Sequence, residues 1–288
     1  MSLPVKLGVS TWLWTSPFRT NDAQDLFRKI SDMGYQVVEI AVEDPALIDT
    51  GIIRSLLSDH GLEAVVCGAF GPTRDLTSDD ENLQRIGLSY IVECLDIASA
   101  LGARFVAGPM YSAVGKARMA PPEQRAREWD RAVNNLRKVC SQAADRGLDI
   151  ALEPLNRFES DLINNVDDVL RLIGDIDHPA AKVCLDMFHM NIEEPDPEEA
   201  IRKAGSRLCH VQVSENYRGT PGSGNASWEK YRRGLAAISY AGTVSIESFT
   251  PENKELAAAV CIWRNLAKDQ DSFARDGYAF LSKWIAEE

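Results

Sequence analysis

The sequence LDIALE, residues 148–153, is a short apolar run that ends in an acidic residue. Three later runs have a similar arrangement: AKVCLD (181–186) and GTVSIE (242–247) also end in an acidic residue, and SRLCHVQ (206–212) ends in glutamine. Short apolar runs bounded by polar residues are typical of buried parallel strands. If these four runs are successive strands of one closed barrel, the polar residues at their ends lie on the same rim.

The whole chain alternates short strand-like runs with longer amphipathic stretches. Four earlier runs precede LDIALE, namely VKLGVST, YQVVEIA, LEAVVCGAF and ARFVAGP. Eight strands alternating with helices are typical of a (β/α)8 TIM barrel, although alternation alone also permits a doubly wound sheet. The first strand is not followed by a G-x-G-x-x-G turn, and polar residues recur at strand ends along the whole chain, which favours the barrel. We predict one α/β domain over residues 1–288, closed on the outside by a helical stretch at 252–288 that could pack against another subunit as a homodimer or homotetramer.

Composition excludes several classes of partner. The formal net charge is −12 and the sequence pI is near 4.9, which argues against nucleic acid and anionic membranes. Six scattered cysteines without a C-x-x-C pair predict reduced, buried thiols. The N-terminus does not have the pattern of a signal peptide, and no apolar run reaches the ~18 residues of a membrane span. These features predict a cytoplasmic protein.

The strand ends place four oxygen-bearing side chains together: Glu153, Asp186, Gln212 and Glu247. Each alone could be a partnered rim residue, for example Glu153 paired with Arg157. Together, three carboxylates on one rim would repel one another unless a cation lies between them. Oxygen ligands suit Mn²⁺ or Mg²⁺, whereas an added imidazole would favour Co²⁺ or Zn²⁺. We therefore predict one divalent cation at this rim.

Further residues could contact a substrate there. His189 follows Asp186 by three residues and could reach a substrate oxygen. Arg218 lies in a glycine-rich loop, where its guanidinium could donate paired hydrogen bonds. Trp12, Trp14 and Phe249 could form apolar walls for a sugar, or simply pack in the core.

Several segments resemble the sugar isomerases and epimerases related to xylose isomerase, and within them the D-tagatose 3-epimerase or D-psicose 3-epimerase group. The matching segments are LEPLNRFES, CLDMFHMNIEE, SENYRGTPGSG and IESF, with GAFGPTRDL and GPMYSAVG after strands three and four. The resemblance implies a metal held by the four rim positions and acid/base roles for Glu153 and Glu247. It also implies that His189 and Arg218 bind substrate oxygens, with Glu159 close by.

Gln212 departs from this resemblance, because the 3-epimerases carry a histidine there. A glutamine can bind a cation through its carbonyl oxygen, as in relatives resembling hydroxypyruvate isomerase. The resemblance implies an isomerase that inverts C3 of a free ketose by proton transfer through a cis-enediolate, using a small-molecule sugar as substrate. A hydroxypyruvate isomerase-like or other aldose–ketose isomerase is the alternative.

Two other classes stay open. A non-catalytic sugar-binding barrel would explain the loss of one metal ligand. A nuclease resembling endonuclease IV would need a histidine-rich zinc cluster and a basic groove, which four histidines and a net charge of −12 argue against.

Overall fold

The structure, a computed structural model, describes residues 2–286. Its eight strands are all parallel, pair in chain order, and close into a barrel through pairing of the last strand with the first. The predicted (β/α)8 barrel is confirmed. The strands are β1 Lys6–Ser10, β2 Val37–Val42, β3 Glu63–Gly68, β4 Phe105–Gly108, β5 Asp149–Leu152, β6 Ala181–Asp186, β7 Leu208–Val213 and β8 Thr243–Ile246.

Helices surround the barrel and connect its strands. They are α1 Ala23–Asp32, α2 Thr50–His60, α3 Glu81–Leu101, α4 Pro122–Ala144, α5 Val166–Ile176, α6 Met187–Glu193, α7 Pro197–Ala204, α8 Trp228–Ala237, α9 Lys254–Ala259 and α10 Gln270–Ala286. None of the helices in the described part of the chain combines the length and apolarity that crossing a bilayer requires.

Local sequence signals account for the helix ends. The Asp80 side chain accepts a hydrogen bond from the Asn82 backbone and so caps α3. Gly61 and Gly102 end α2 and α3 with φ values of 64° and 74°, a left-handed conformation that glycine adopts without steric cost. After each of these glycines the chain enters the next strand of the barrel, β3 after α2 and β4 after α3.

The C-terminal stretch that we predicted to be helical, residues 252–288, contains two helices, α9 and α10, separated by a non-helical segment at 260–269; residues 287 and 288 lie outside the described part. Leu256 and Ile262 on this stretch join a small apolar cluster that includes Trp12 and Phe249, whereas α10 packs on the main core through Phe273 and Leu281. The two parts of this stretch thus pack against two different apolar clusters.

Strand register brings polar residues to one layer of the barrel interior. Alternate residues of a strand point to the same face, so His210 and Gln212 of β7 share a face. Gln212 pairs in register with Asp186 of β6 and Ser245 of β8. The ends of β5 to β8 therefore meet at the carboxyl rim of the barrel, where TIM-barrel active sites lie.

Candidate active site

Three carboxylates lie buried at the carboxyl rim. Glu153 follows β5, Asp186 ends β6 and Glu247 follows β8, and each is at most 4% exposed. Burial raises the pKa of Glu153 well above its usual value, and the neighbouring Asp186 charge raises it further. Burial likewise raises the pKa of Glu247, although Arg218 opposes this shift. Both glutamates are thus suited to carry a proton in the folded protein.

Arg218 lies between two of these carboxylates. Its Nη1 atom is 2.5 Å from Asp186 Oδ2 and 3.0 Å from Glu247 Oε2. Its guanidinium carbon lies 4.1 Å from the ring centre of Phe188 and 5.2 Å from that of Phe249. Burial lowers the pKa of Arg218, but the two acidic neighbours more than offset this and the pKa is raised. The guanidinium is therefore a fixed positive charge held between two aromatic rings.

His189 presents one defined nitrogen to the carboxylates. The Asn156 backbone N–H donates to its Nδ1 at 3.1 Å, so Nδ1 must be an acceptor. Burial lowers the pKa of His189, which favours a neutral ring with its proton on Nε2. Nε2 lies 3.5 Å from Glu153 Oε1 and 3.6 Å from Asp186 Oδ2. In this tautomer the Nε2–H of His189 faces the carboxylates, and Arg218 Nη2, 3.3 Å away, is a second donor beside it and not its hydrogen-bond partner.

Glu159 and Arg157 lie on the loop after β5. Glu159 accepts a hydrogen bond from the Asn156 side chain, which in turn contacts His189. Arg157 pairs with Glu193 on α6, so the rim salt bridge with Glu153 that the sequence offered as an alternative is not formed.

Gln212 is fully buried beside Glu247, as predicted, but with its amide nitrogen facing the carboxylate. Nε2 donates to Glu247 Oε1 at 2.8 Å and to Glu39 Oε1 at 2.9 Å. The carbonyl oxygen instead accepts from the Cys184 thiol at 3.2 Å. In this arrangement the oxygen that would bind a cation points away from the rim carboxylates.

Sequence reasoning missed Glu39, which comes from β2 on another part of the barrel. Its side chain is fully buried, and Oε2 lies 2.6 Å from His210 Nε2. The available signal was an acidic residue in the interior of the apolar run YQVVEIA, because a buried charged group requires a partner.

An apolar cluster covers the other side of the rim. The Trp12 and Phe249 rings lie 5.6 Å apart and pack with Ala41, Leu256 and Ile262. Trp14, which we predicted as a substrate contact, is not brought to this cluster, because its indole N–H donates to Asp271 on α10 at 2.7 Å. The structure therefore favours Trp12 over Trp14 as the aromatic wall beside Phe249.

The loop that carries Arg218 is organised around one buried carboxylate. Glu215 accepts hydrogen bonds from the Gly222 and Ala226 backbones and from the Trp228 indole, at 2.7–3.0 Å. Because these contacts span the whole loop, they fix the position from which Arg218 enters the site.

Two groups of ligand-type side chains meet here within residues 2–286. Glu153, Asp186 and His189 form one, and Glu39, Cys67 and Glu247 form the other, with ligand atoms within 4.8 Å of one another in each. Asp186 Oδ2 makes no hydrogen bond of normal geometry to the described residues, and its charge is paired with Arg218 Nη1. Three buried carboxylates that meet beside a histidine nitrogen fit a divalent cation.

Comparison with known proteins agrees with this geometry. A profile described as xylose isomerase-like TIM barrel matches residues 27–266, most of the chain. The chain belongs to the xylose isomerase-like TIM barrel family. The L-ribulose 3-epimerase of Methylomonas sp. strain DH-1 is 31% identical to this family member over 288 residues, which is 98% of this chain and 99% of the relative. The D-psicose 3-epimerase of Ruminiclostridium cellulolyticum is 29% identical and covers 98% of both chains.

Solved structures of other xylose isomerase-like barrels superpose closely. The crystal structure of D-allulose 3-epimerase from Methylomonas sp. in complex with D-allulose has a TM-score of 0.90 at 30% identity, covering 98% of this chain and 99% of that one. The D-psicose 3-epimerase of Clostridium cellulolyticum H10 with D-tagatose has a TM-score of 0.88 at 27% identity, covering 99% and 100%. These relatives are named as ketose 3-epimerases, which are isomerase-class enzymes.

Proposed function

We propose that this protein is a sugar epimerase that inverts C3 of a free ketose. The observation that supports this most is the pair of buried glutamates, Glu153 and Glu247, whose pKa values are both raised and which flank Asp186 along the barrel rim. Inversion requires a base on one side of the substrate and an acid on the other. The full-length similarity to ketose 3-epimerases supports the same reaction.

A divalent cation, Mn²⁺ or Mg²⁺, is part of the proposal. Glu153, Asp186 and Glu247 would hold it through carboxylate oxygens, and it would polarise the ketone carbonyl and acidify the neighbouring C–H bond. Co²⁺ and Zn²⁺ are alternatives. Gln212 stays a predicted ligand only if its amide is reversed from the arrangement described above.

The proton transfers follow from the two glutamates. One of them, as a carboxylate, removes the C3 proton, and the electron pair moves into the C2 carbonyl to give a cis-enediolate. The other, as a carboxylic acid, returns a proton to the opposite face of C3, and the C2 carbonyl forms again. The proton count balances, because one glutamate gains the proton that the other loses.

His189 and Arg218 would bind the substrate. The Nε2–H of neutral His189 can donate to a hydroxyl or carbonyl oxygen without delivering a proton. The Arg218 guanidinium would stabilise the negative charge that develops on the enediolate oxygens. The aromatic wall of Trp12 and Phe249 would contact the carbon chain of the sugar.

The test is replacement of either glutamate by glutamine. In D₂O with Mn²⁺, the unmodified protein should incorporate deuterium at C3 of a ketose and form the 3-epimer, both followed by NMR. We expect Glu153→Gln and Glu247→Gln to lower the rate of exchange by about 10²–10⁴-fold, because each removes one acid/base group. Mn²⁺ affinity, measured by calorimetry, separates loss of proton transfer from loss of the cation.

Three results would contradict the proposal. Full deuterium exchange in both variants would contradict the assignment of Glu153 and Glu247 as the acid and the base. Aldose formation from the ketose panel would assign an aldose–ketose isomerase, the alternative that Gln212 raised. Sugar binding without exchange, in a protein that ignores added Mn²⁺, would indicate a binding barrel. A cytoplasmic location and a homodimer or homotetramer remain predictions from the sequence.

A further inference from the structure

The amide group of Gln212 has two N–H bonds and meets two carboxylate oxygens. Nε2 lies 2.8 Å from Glu247 Oε1 and 2.9 Å from Glu39 Oε1. A reversed amide would place its carbonyl oxygen against the same two oxygens at the same distances. When Glu247 is ionised, as it is when it binds a cation, these three oxygens are all acceptors without a proton and repel one another. The two carboxylates therefore select the orientation in which Gln212 donates.

Glu39 is itself fixed by His210. The Nε2 atom of His210 lies 2.6 Å from Glu39 Oε2, whereas Nδ1 has no partner among the described residues. A carboxylate oxygen at this distance accepts, so the Nε2–H of His210 donates to Glu39. Both oxygens of Glu39 are then used, one by His210 and one by Gln212.

The same nitrogen lies amid a group of potential metal ligands. Glu39, Cys67 and Glu247 have ligand atoms within 4.8 Å of one another, and Gln212 Nε2 contacts all three, with Cys67 Sγ at 3.9 Å. The amide N–H bonds thus supply the positive partial charge that two buried carboxylates need. On the other side, the Cys184 thiol donates to the Gln212 carbonyl oxygen and occupies that acceptor.

We propose that Glu39, held by His210, is a positioning residue that keeps Gln212 as a hydrogen-bond donor to Glu247, so that residue 212 is not a metal ligand in this chain. The inference rests on the proposed function in one respect, because it assigns Glu247 to catalysis. The Gln212 N–H group then orients the Glu247 carboxylate, and the cation would be held by the carboxylates of Glu153, Asp186 and Glu247.

The first experiment needs no metal. Side-chain amide signals in a ¹⁵N NMR spectrum of the metal-free protein identify Gln212 by the pair of signals that disappears in Gln212→Met. We expect both amide protons to exchange slowly with solvent. Glu39→Met should shift this pair and speed its exchange at least 10-fold. Glu39→Gln should preserve it, because its carbonyl oxygen can accept from Gln212 while its NH2 donates to His210 Nε2 in the tautomer with the proton on Nδ1. Glu128→Met, which removes a buried glutamate outside this network, should leave the pair unchanged.

The second experiment uses Mn²⁺. Glutamine labelled with ¹³C at the side-chain carbonyl would give a strong ¹³C coupling in an electron–nuclear double resonance spectrum if Gln212 bound the ion through its oxygen. We expect the wild type and Gln212→Met to give the same spectrum. With a ketose, Glu39→Met should lower kcat by about 10–100-fold at an unchanged KM, and Glu39→Gln should restore most of it.

A ¹³C coupling that Gln212→Met abolishes would overturn the proposal, as would a Gln212 amide signal that Glu39→Met leaves unchanged. If Glu39→Met does not fold, the coupling and the solvent exchange of the Gln212 pair decide. A protein that binds no Mn²⁺ would count against the proposed function, and the metal-free NMR experiment would still decide the role of Glu39.

Discussion

At the scale of single residues, Arg218 balances the charge of the site. It is 5% exposed and pairs with both Asp186 and Glu247. Removing one partner from a buried ionic group leaves uncompensated charge, which costs about 3–5 kcal/mol. We expect Arg218→Met to lower the free energy of unfolding by this amount in urea titrations with a chelator present, and added Mn²⁺ to restore part of it.

The matched control is Arg28→Met. Arg28 also forms ion pairs, with Asp25 and Asp32, but all three side chains are at least 54% exposed. Ion pairs in solvent contribute little, so this variant should unfold at the same urea concentration as the wild type. Equal losses in the two variants would contradict a special charge-balancing role for Arg218.

Whether a site residue could be predicted from the sequence depended on its position in its strand. Glu153, Asp186 and Glu247 could be brought together from sequence because parallel strands in chain order share one rim. Glu39 could not, because its partner His210 is 171 positions away and the contact depends on how side chains layer inside the closed barrel. The choice between Trp12 and Trp14 depended on Asp271, whose position the sequence does not reveal.

At the scale of elements, hydrogen bonds connect the loops after β3, β4 and β5. Lys116 donates to Asp75 Oδ2 at 2.8 Å, and the Gly115 backbone donates to the Glu159 carbonyl oxygen at 2.7 Å. Burial opposes ionisation of Asp75, but hydrogen bonds from Lys116 and Thr77 dominate and its pKa is lowered. The loop with Glu159 is thereby held against its neighbours.

A lowered pKa makes this link dependent on pH. Because the folded pKa of Asp75 lies below the unfolded value of about 4, its contribution is present above pH 4 and is lost as pH falls through the folded pKa. We expect Asp75→Asn to lower the free energy of unfolding by about 1–3 kcal/mol at pH 7. The difference from wild type should shrink in urea titrations at successively lower pH below 4.

Asp79→Asn serves as the control in the same loop, because Asp79 pairs with Arg131 while its own side chain is 76% exposed. It should change stability little at any pH. A loss for Asp75→Asn that stays constant down to pH 3 would show that the carboxylate charge is not the cause.

Element boundaries were largely predictable, because glycines and caps mark them. Helix α3, Glu81–Leu101, for example, begins after the Asp80 cap and ends at Gly102. The break at 260–269 was not predictable from the sequence. It depends on Leu256 and Ile262 packing with Trp12 and Phe249 while α10 packs on β1.

At the scale of the whole molecule, α10 packs against β1 on the outside of the barrel and joins the N-terminal and C-terminal segments of the chain. The Leu3 backbone donates to the Ile285 carbonyl oxygen at 2.8 Å, and Tyr35 donates to the Ala274 carbonyl oxygen at 2.7 Å. Phe273 on this helix is 1% exposed. We expect Phe273→Ala to lower the free energy of unfolding by about 3–5 kcal/mol, because it leaves a cavity in the core.

Phe158→Ala is the same substitution at a position that is 73% exposed, and it should have little effect on unfolding. Urea titration of both variants tests whether α10 is part of the cooperative unit. The contrary result would be two transitions for Phe273→Ala, an early one followed by a second at the wild-type midpoint. That result would show that α10 unfolds independently of the barrel.

The backbone of Arg218 has a φ of 63°, a left-handed conformation that costs a residue with a side chain of order 1 kcal/mol and that glycine adopts freely. This cost is smaller than the about 3–5 kcal/mol that is lost when Arg218 leaves two buried carboxylates unpaired, so a mutant library screened only for heat resistance should keep arginine at position 218. In a library built on a variant in which Asp186 and Glu247 are both replaced by their amides, the same screen should accumulate glycine or asparagine there. Comparing the two selected populations by deep sequencing would separate the preference of the backbone from that of the side chain.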